Sequence, residues 1–387
     1  MTFVPISRHA LSWAVETSGI PKENLDEYFN FPHGTIDNWI TGKEQPNLTQ
    51  FKRLASRLKR PDAVFFMDSP PPTSELVVEL RSSGGVINQN LSPTARHAIR
   101  DAVRVKKFIG EIQEELGVIG RSYPNYSSNE DPESIADKIR KEYFGVSFDT
   151  QISWTSASTA FRNWRILVEK MGILVFLYPI GIERNEKEFL DEVKAEKELI
   201  RGFSIVTGTP PAIGVSTTWN ASVRNYTLFH ELGHILTRTS SACAEAYDEM
   251  SNHATNDYIE RWCEKFAASF LMPKQDFLEF NKSIHEPDPI KRAGKIANKL
   301  SVSRKAALIR LIEIGFAQWE DYRRLEIKFD RKGKGGKSEL NDKRTRAVCR
   351  QDTYGSCLSS VREAYSAGII SELDIWDYVR MSSDELV

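Results

Sequence analysis

Cysteine is scarce in this 387-residue chain: Cys243, Cys263, Cys349 and Cys357 are the full set, and no two form a C-x-x-C pair. That excludes a disulfide scaffold and the usual cysteine-based zinc or redox motifs. Long apolar runs are missing too. No stretch approaches the roughly 18 residues of a membrane span, and MTFVPISRHALSWAV at the start lacks a basic opening, a continuous apolar core and a small-residue cleavage site. The expectation is a cytoplasmic chain with no membrane partner. Nor is there a surplus of either charge, since 52 Lys+Arg stand against 53 Asp+Glu. A wholesale basic coat for nucleic acid is thereby excluded, although a local basic patch is not. What is present, 40% hydrophobic and 10% aromatic residues, suffices to bury real cores. The length points to two or three domains.

Apolar periodicity divides the chain. Residues 1–70 read as short helices, with Leu11, Ala14 and Val15 on one face of the first and Leu48, Phe51, Leu54, Ala55 and Leu58 on one face of another. A third helix, about His33 to Ile40, stops at Gly42, and Asn47 is placed to cap the helix after it. The result expected is a five-element all-helical bundle, closed by Pro61 to Phe66 and followed by a proline seam at Ser69 to Thr73. Residues 71–130 then supply a long helix from about Pro93 to Leu116, read as a mechanical connector, and a Ser/Asn/Pro/Gly-rich linker. In 131–280 helical segments give way to GILVFLYP, RGFSIVT and AIGVSTT, short β-branched runs that suggest a small, mainly antiparallel sheet. Residues 281–387 return to helix, interrupted by the basic, Gly-rich run FDRKGKGGKSELNDKRTR, read as a solvated loop. The fold class expected is α+β and predominantly helical, with a helical N-terminal bundle, a small-sheet core and a C-terminal helical domain.

The chemistry concentrates in NYTLFHELGHILT, Asn225 to Thr237, where His230, Glu231 and His234 form H-E-x-x-H. A shuffled chain of this composition would show the pattern about 0.02 times, so chance is a poor explanation. Leu228, Phe229, Leu232, Ile235 and Leu236 make the segment a buried helix. Residues four apart on it share a face, so both imidazoles can reach one ion, while Glu231 sits about 100° around, where it can touch a bound water without being a ligand. Gly233 costs about 1 kcal/mol relative to Ala in a helix interior, which suggests that another segment passes closely over that turn.

Two histidines leave a tetrahedral zinc site incomplete. Thr237 and Ser240 occupy the places where H-E-x-x-H-x-x-G-x-x-H would carry its Gly and third His, which excludes that pattern. The next predicted helix, 258–272, has the apolar stripe Ile259, Trp262, Cys263, Phe266, Ala267 and Phe270, bordered by Glu260 and Glu264. That spacing fits Glu260 as the third ligand and Glu264 as an acceptor that holds an imidazole by its other ring nitrogen. Asp248, Glu249, His253 and Asp257 stand as alternative third ligands, and surface exposure competes for Glu260 itself. Cys263 reads as a small core residue.

These residues resemble the ImmA/IrrE family of zinc metallopeptidases, in its long form that begins with an XRE-like helix-turn-helix. R-x-Y-T-L-F-H-E-L-G-H, Arg224 to His234, is similar to one family signature, and E-x-x-C-E-x-F-A-A-S-F-L-M-P, Glu260 to Pro273, to another, with Cys263 where the family has Ala and Glu264 where it often has Asn. The resemblance implies a zincin-like peptidase core in 131–280, zinc on His230, His234 and Glu260, and Glu231 as general base. It further implies cleavage of a protein partner, such as a transcriptional repressor, in a stress, mobile-element or phage-related circuit. Tyr247, His253 and Tyr258 are candidates to stabilise the transition state. AIGVSTT reads equally as an edge strand for peptide docking or as an interior strand.

In the N-terminal module the helix that would enter the major groove, HGTIDNWI, offers only Thr35 and Asn38 as polar base readers. Lys43, Lys52, Arg53, Arg57, Lys59 and Arg60 are candidates for phosphate contact, yet residues 1–70 contain as many acidic as basic side chains. Two uses of the module stay open, DNA binding and protein contact, including homodimerisation. The competing reading for the whole chain is a non-enzymatic DNA-binding regulator or antitoxin-like protein with a structural zinc site.

Overall fold

The computed structural model describes residues 3–18, 20, 22–69, 93–118, 123–180, 200–239, 241–243, 257–330 and 346–386. The fold is α+β and predominantly helical, with one small sheet among the described residues. Its first unit is the N-terminal bundle: α1 (Arg8–Glu16), α2 (Leu25–Phe29), α3 (Thr35–Thr41), α4 (Leu48–Arg57) and a closing turn at Asp62–Phe66. Asn47 and Gln50 form a reciprocal capping box at the start of α4. The helix α3 starts at Gly34, which has no side chain to cap with. Asp26 of α2 takes that role, accepting from Gly34 N at 2.6 Å and Ile36 N at 2.9 Å. Gly42 ends α3 at φ +76°, the left-handed conformation a glycine adopts without strain. Leu11, Phe29, Ile36, Trp39, Phe51, Leu54 and Phe65 close a core of their own.

Among the described residues the sheet has four strands, β1 (Leu174–Tyr178), β2 (Gly202–Ile205), β3 (Ala212–Ser216) and β4 (Ser241–Cys243), in the spatial order β1-β3-β2-β4. β2 pairs antiparallel with both β3 and β4, but β1 and β3 run parallel, with Leu174 opposite Ala212 and Tyr178 opposite Ser216. β3 is therefore interior, which removes AIGVSTT as a docking edge. Every residue of β1, β2 and β3 is buried, because both faces of the sheet are covered.

The period-2 alternation of the strands sorts their side chains between two cores. Val175, Leu177, Ile213 and Val215 face α8 (Ala157–Lys170) and α9 (Ala221–Leu236), in a core extended by α10 (Asp257–Leu271), α12 (Pro289–Leu300) and α13 (Arg304–Glu313). Leu174, Phe176, Tyr178, Phe203 and Ile205 face the other way, onto α5 (Pro93–Glu115) and the three last helices, α15 (Arg346–Tyr354), α16 (Cys357–Ser366) and α17 (Glu372–Val379). Shorter helices complete the chain order: α6 (Pro132–Lys138) and α7 (Phe148–Ser153) precede α8, α11 (Lys274–Ser283) follows α10, and α14 (Trp319–Asp330) follows α13.

Two expectations change here. The long helix α5, anticipated as a connector, is a core layer: Ile99, Ala102, Val105 and Ile109 are buried, and a Cβ on Gly110 would stand 2.6 Å from the Thr209 carbonyl oxygen. The stretch 281–387, anticipated as one helical domain, divides its apolar side chains between the two sides of the sheet. Helical periodicity told where the stripes lie but not which surface each would cover. The basic run at 331–345 lies outside the described residues.

Candidate metal centre

The helix α9 begins at Asn220, whose side chain accepts from Val223 N, and from Thr227 to Leu236 every residue is buried. Within that stretch His230 and His234 sit one turn apart, and their Nε2 atoms are 3.2 Å from each other. Glu260, on the first turn of α10, reaches between them, with Oε2 3.2 Å from His230 Nε2 and Oε1 3.4 Å from His234 Nε2. Among the described residues these three form the group of His, Cys, Asp or Glu side chains able to hold a metal ion. Donors bonded at about 2.0–2.1 Å around a tetrahedral zinc stand about 3.3–3.4 Å apart. The 3.2 Å between the two imidazole nitrogens matches one edge of such a tetrahedron, the carboxylate approaches each nitrogen with a different oxygen, and the nitrogen and oxygen donor set suits a borderline metal. The imidazoles are buried, whereas 34% of the Glu260 side chain is exposed, so the group opens toward solvent on the Glu260 side.

Close packing brings the carboxylate to the histidines. A Cβ on Gly233 would lie 3.1 Å from Cys263 Sγ and 3.2 Å from Cys263 Cα. The absence of a side chain at Gly233 is thus what lets α10 cross α9 at this turn, as the sequence suggested. Cys263 fills that contact, fully buried, and burial first, with the nearby carboxylates Glu260, Glu231 and Glu264, pushes its thiol far up in pKa. The far end of α10 is pinned by its last carbonyls. Arg140 donates to Phe270 O at 2.9 Å, Gln151 to Leu271 O at 3.0 Å and Arg310 to Met272 O at 3.1 Å. Three buried donors thereby satisfy acceptors that a helix end leaves open.

On the opposite side of α9, β2 comes equally close. A Cβ on Gly202 would meet Thr227 Cγ2 at 2.6 Å, Gly214 O at 2.9 Å and Glu231 Cγ at 3.1 Å. Glu231 is completely buried against that strand. Gly202 was not singled out from the sequence. Only the strand crossing, a tertiary feature, reveals it.

The ring nitrogen of His234 remote from the ligand group, Nδ1, lies 2.9 Å from Thr239 Oγ1, which in turn is 3.0 Å from Thr237 Oγ1. Thr237 Oγ1 donates to Gly233 O at 3.0 Å. A hydroxyl pair just past the helix end thus holds this imidazole. Glu264 bears on His230 through charge, and its backbone carbonyl accepts from Tyr226 Oη at 2.9 Å. Burial alone would lower the His230 pKa, but the Glu260 contact, with Glu231 and Glu264 behind it, carries it up to about 9. Burial likewise opposes ionisation of Glu260, yet hydrogen bonds from His230 and His234 hold its carboxyl far below the ordinary range.

Other expected residues fall elsewhere. The Tyr258 hydroxyl donates to Ser128 O at 2.8 Å. Tyr247 and His253, and the alternative ligands Asp248 and Glu249, lie outside the described residues. In the N-terminal bundle the Thr35 hydroxyl donates to Pro32 O at 2.6 Å, and Arg53 donates to Asn30 O at 3.3 Å. Arg57 binds Tyr28 O, and Lys52 pairs with Asp62. Much of the basic set named for phosphate contact is therefore engaged within the bundle. Asn38 is half-buried and Lys43 exposed on and after α3.

Among the described residues no helix is long and apolar enough to cross a membrane. Comparison with curated proteins and with solved structures gave no match. Residues 168–312, which run from the end of α8 to α13 and contain the whole ligand group, match the model of the IrrE N-terminal-like domain of the Peptidase_M78 family. This segment of the chain is thus similar to the domain of a metal-dependent peptidase family.

Proposed function

We propose that the chain is a zinc-dependent peptidase of ImmA/IrrE type that hydrolyses a peptide bond within a protein partner. The observation that carries the reading is the convergence of His230 Nε2, His234 Nε2 and the Glu260 carboxylate within reach of one ion, on a segment similar to a peptidase family. Zinc held by these three residues supplies Lewis acidity toward a water and a scissile carbonyl. Glu231, adjacent to His230 and buried against β2, takes a proton from the attacking water and returns it to the leaving amine. His234 is held in one tautomer by Thr239, so that Nε2 presents its lone pair to the ligand group. The outer strand β4 follows α9 closely, and its second edge, unpaired among the described residues, offers backbone donors and acceptors to an extended peptide.

The substrate class we favour is a transcriptional repressor in a stress, mobile-element or phage-related circuit, and 1–70 is an XRE-like module that recruits it or DNA. A regulator with structural zinc would bind the same metal, so metal content does not separate the readings. Glu231→Gln does. The variant should retain bound zinc while cleavage falls by about 10²–10⁴-fold. The measurement is which cellular protein is shortened when the chain is expressed; the same shortening by Glu231→Gln would sink the peptidase reading.

A further inference from the structure

Past the last turn of α9 the backbone turns left-handed at a residue with a long charged side chain. Arg238 has φ +56°, its N–H donates to Ile235 O at 3.2 Å, and the N–H of Thr239 donates to His234 O at 2.8 Å. Glycine is the usual residue at this place in a helix end, because a Cβ is crowded there. The side chain is fixed as firmly as the backbone. Its guanidinium lies 3.9 Å from the centroid of the buried Tyr123 ring, and the segment that carries Tyr123 is tied to α9 where Tyr126 N donates to Leu236 O at 2.9 Å. Arg238 itself is exposed. A guanidinium stacked on a ring uses its face there and keeps its edge, a fork of N–H donors, for a planar oxyanion.

The fork stands close to the metal centre. Thr239, the next residue, touches Nδ1 of His234, so the turn is one imidazole ring away from the ligand group. Two residues further on the chain enters β4, whose outer edge offers an extended peptide its backbone partners. We propose that Arg238 is a specificity-determining residue that takes a carboxylate of the substrate close to the scissile bond. A peptide laid along β4 with its scissile carbonyl at the metal passes this turn, and at about 3.3 Å per extended residue the side chain that meets Arg238 lies within about three residues of the cut. The assignment rests on the peptidase reading and adds to it a substrate class, an acidic peptide. Glycine would close the helix with less strain but would carry no charge, and strain kept at an exposed residue beside a metal centre is accounted for by recognition.

Cleavage-site profiling tests this. The zinc-loaded full chain and its Arg238→Gln, Arg238→Glu and Arg238→Gly variants act on a degenerate peptide mixture, mass spectrometry reads the residues around each cut, and Glu231→Gln serves as the blank. The parent should favour Asp and Glu at one position within about three residues of the cut. Arg238→Gln should cleave those peptides at least about tenfold less well, and Arg238→Glu should favour Lys and Arg there instead. Mixtures with free and with amidated C-termini separate a side-chain carboxylate from that of the chain end. Arg238→Gly relaxes the turn, so it should lose the preference while holding zinc in a chelator competition and melting close to the parent. Zinc affinity lost in step with the preference, cleavage with no preference for acid, or a preference that survives Arg238→Glu would each overturn the proposal and leave the peptidase reading standing. No cleavage by the parent above the blank overturns the peptidase reading, and this proposal with it.

Discussion

Thr239 holds His234 through a hydroxyl where a negatively charged carboxylate is the commoner arrangement. Thr239→Val keeps the shape and removes the hydrogen bond, so metal affinity should fall about tenfold in a chelator competition, with Thr239→Ser restoring it. His230 gives a second expectation. Its raised pKa means that the metal-free imidazole carries a proton below about pH 9, which an incoming ion must displace. Apparent affinity should therefore rise with pH toward 9, with a proton released on binding, measurable by calorimetry in buffers of different ionisation enthalpy. In the metal-free protein the signs are opposite for the two partners. The raised histidine contributes stability that is full below its ordinary 6.5 and is lost as pH rises through about 9. The depressed Glu260 contributes stability that is full above its ordinary 4.5 and is lost on acidification. Melting of the metal-free protein should peak between about pH 4.5 and 6.5. At this scale the pairing of His230 with His234 was readable because helical spacing encodes which side chains share a face, whereas Glu260, on another helix, stood among alternative ligands until the packing of α10 on α9 set it beside them. Thr239 and Gly202 were not, since a turn past a helix end and a strand crossing leave no periodic trace.

Among the elements, β2 and α9 are the pair whose separation is least negotiable. Gly202→Ala would drive a methyl into Thr227 Cγ2 and a backbone carbonyl, so it should cost about 1–3 kcal/mol and displace Glu231, read as a lower denaturant midpoint and as cleavage lost beyond the loss of stability. Gly233→Ala meets Cys263 at 3.1–3.2 Å and should be milder, with Cys263→Ala in the same chain relieving the sulfur contact but not those to Cα and Cβ, so the rescue should be partial. The helices themselves were legible, down to the stop at Gly42 and the cap at Asn47, because caps and stripes are local chemistry. The parallel pairing of β1 with β3 was not: three short apolar runs in succession say nothing of the direction in which the first joins the third.

For the whole molecule, the three apolar clusters predict unequal consequences of truncation. The core around Trp39 is assembled from residues 6–65 alone, so removal of 1–69 should leave metal binding at parental affinity. Removal of 346–387 should not be tolerated, because Tyr354, Leu358, Val361, Ile375 and Val379 cover the face of the sheet away from the histidines. Circular dichroism and chelator competition on both truncated chains check this, and a well-folded, metal-binding chain ending at 345 would contradict it. The two-sided burial of the sheet also orders events during synthesis. The metal-bearing side has all its segments by about Leu325, whereas the other side waits for the final helices. At about 5–20 residues per second, Phe176 and Phe203 are made on the order of ten seconds before Val361 and Val379 can shield them. A nascent chain stalled in that interval has only α5 to cover this aromatic sheet surface, which makes this the stage at which chaperone capture would matter most.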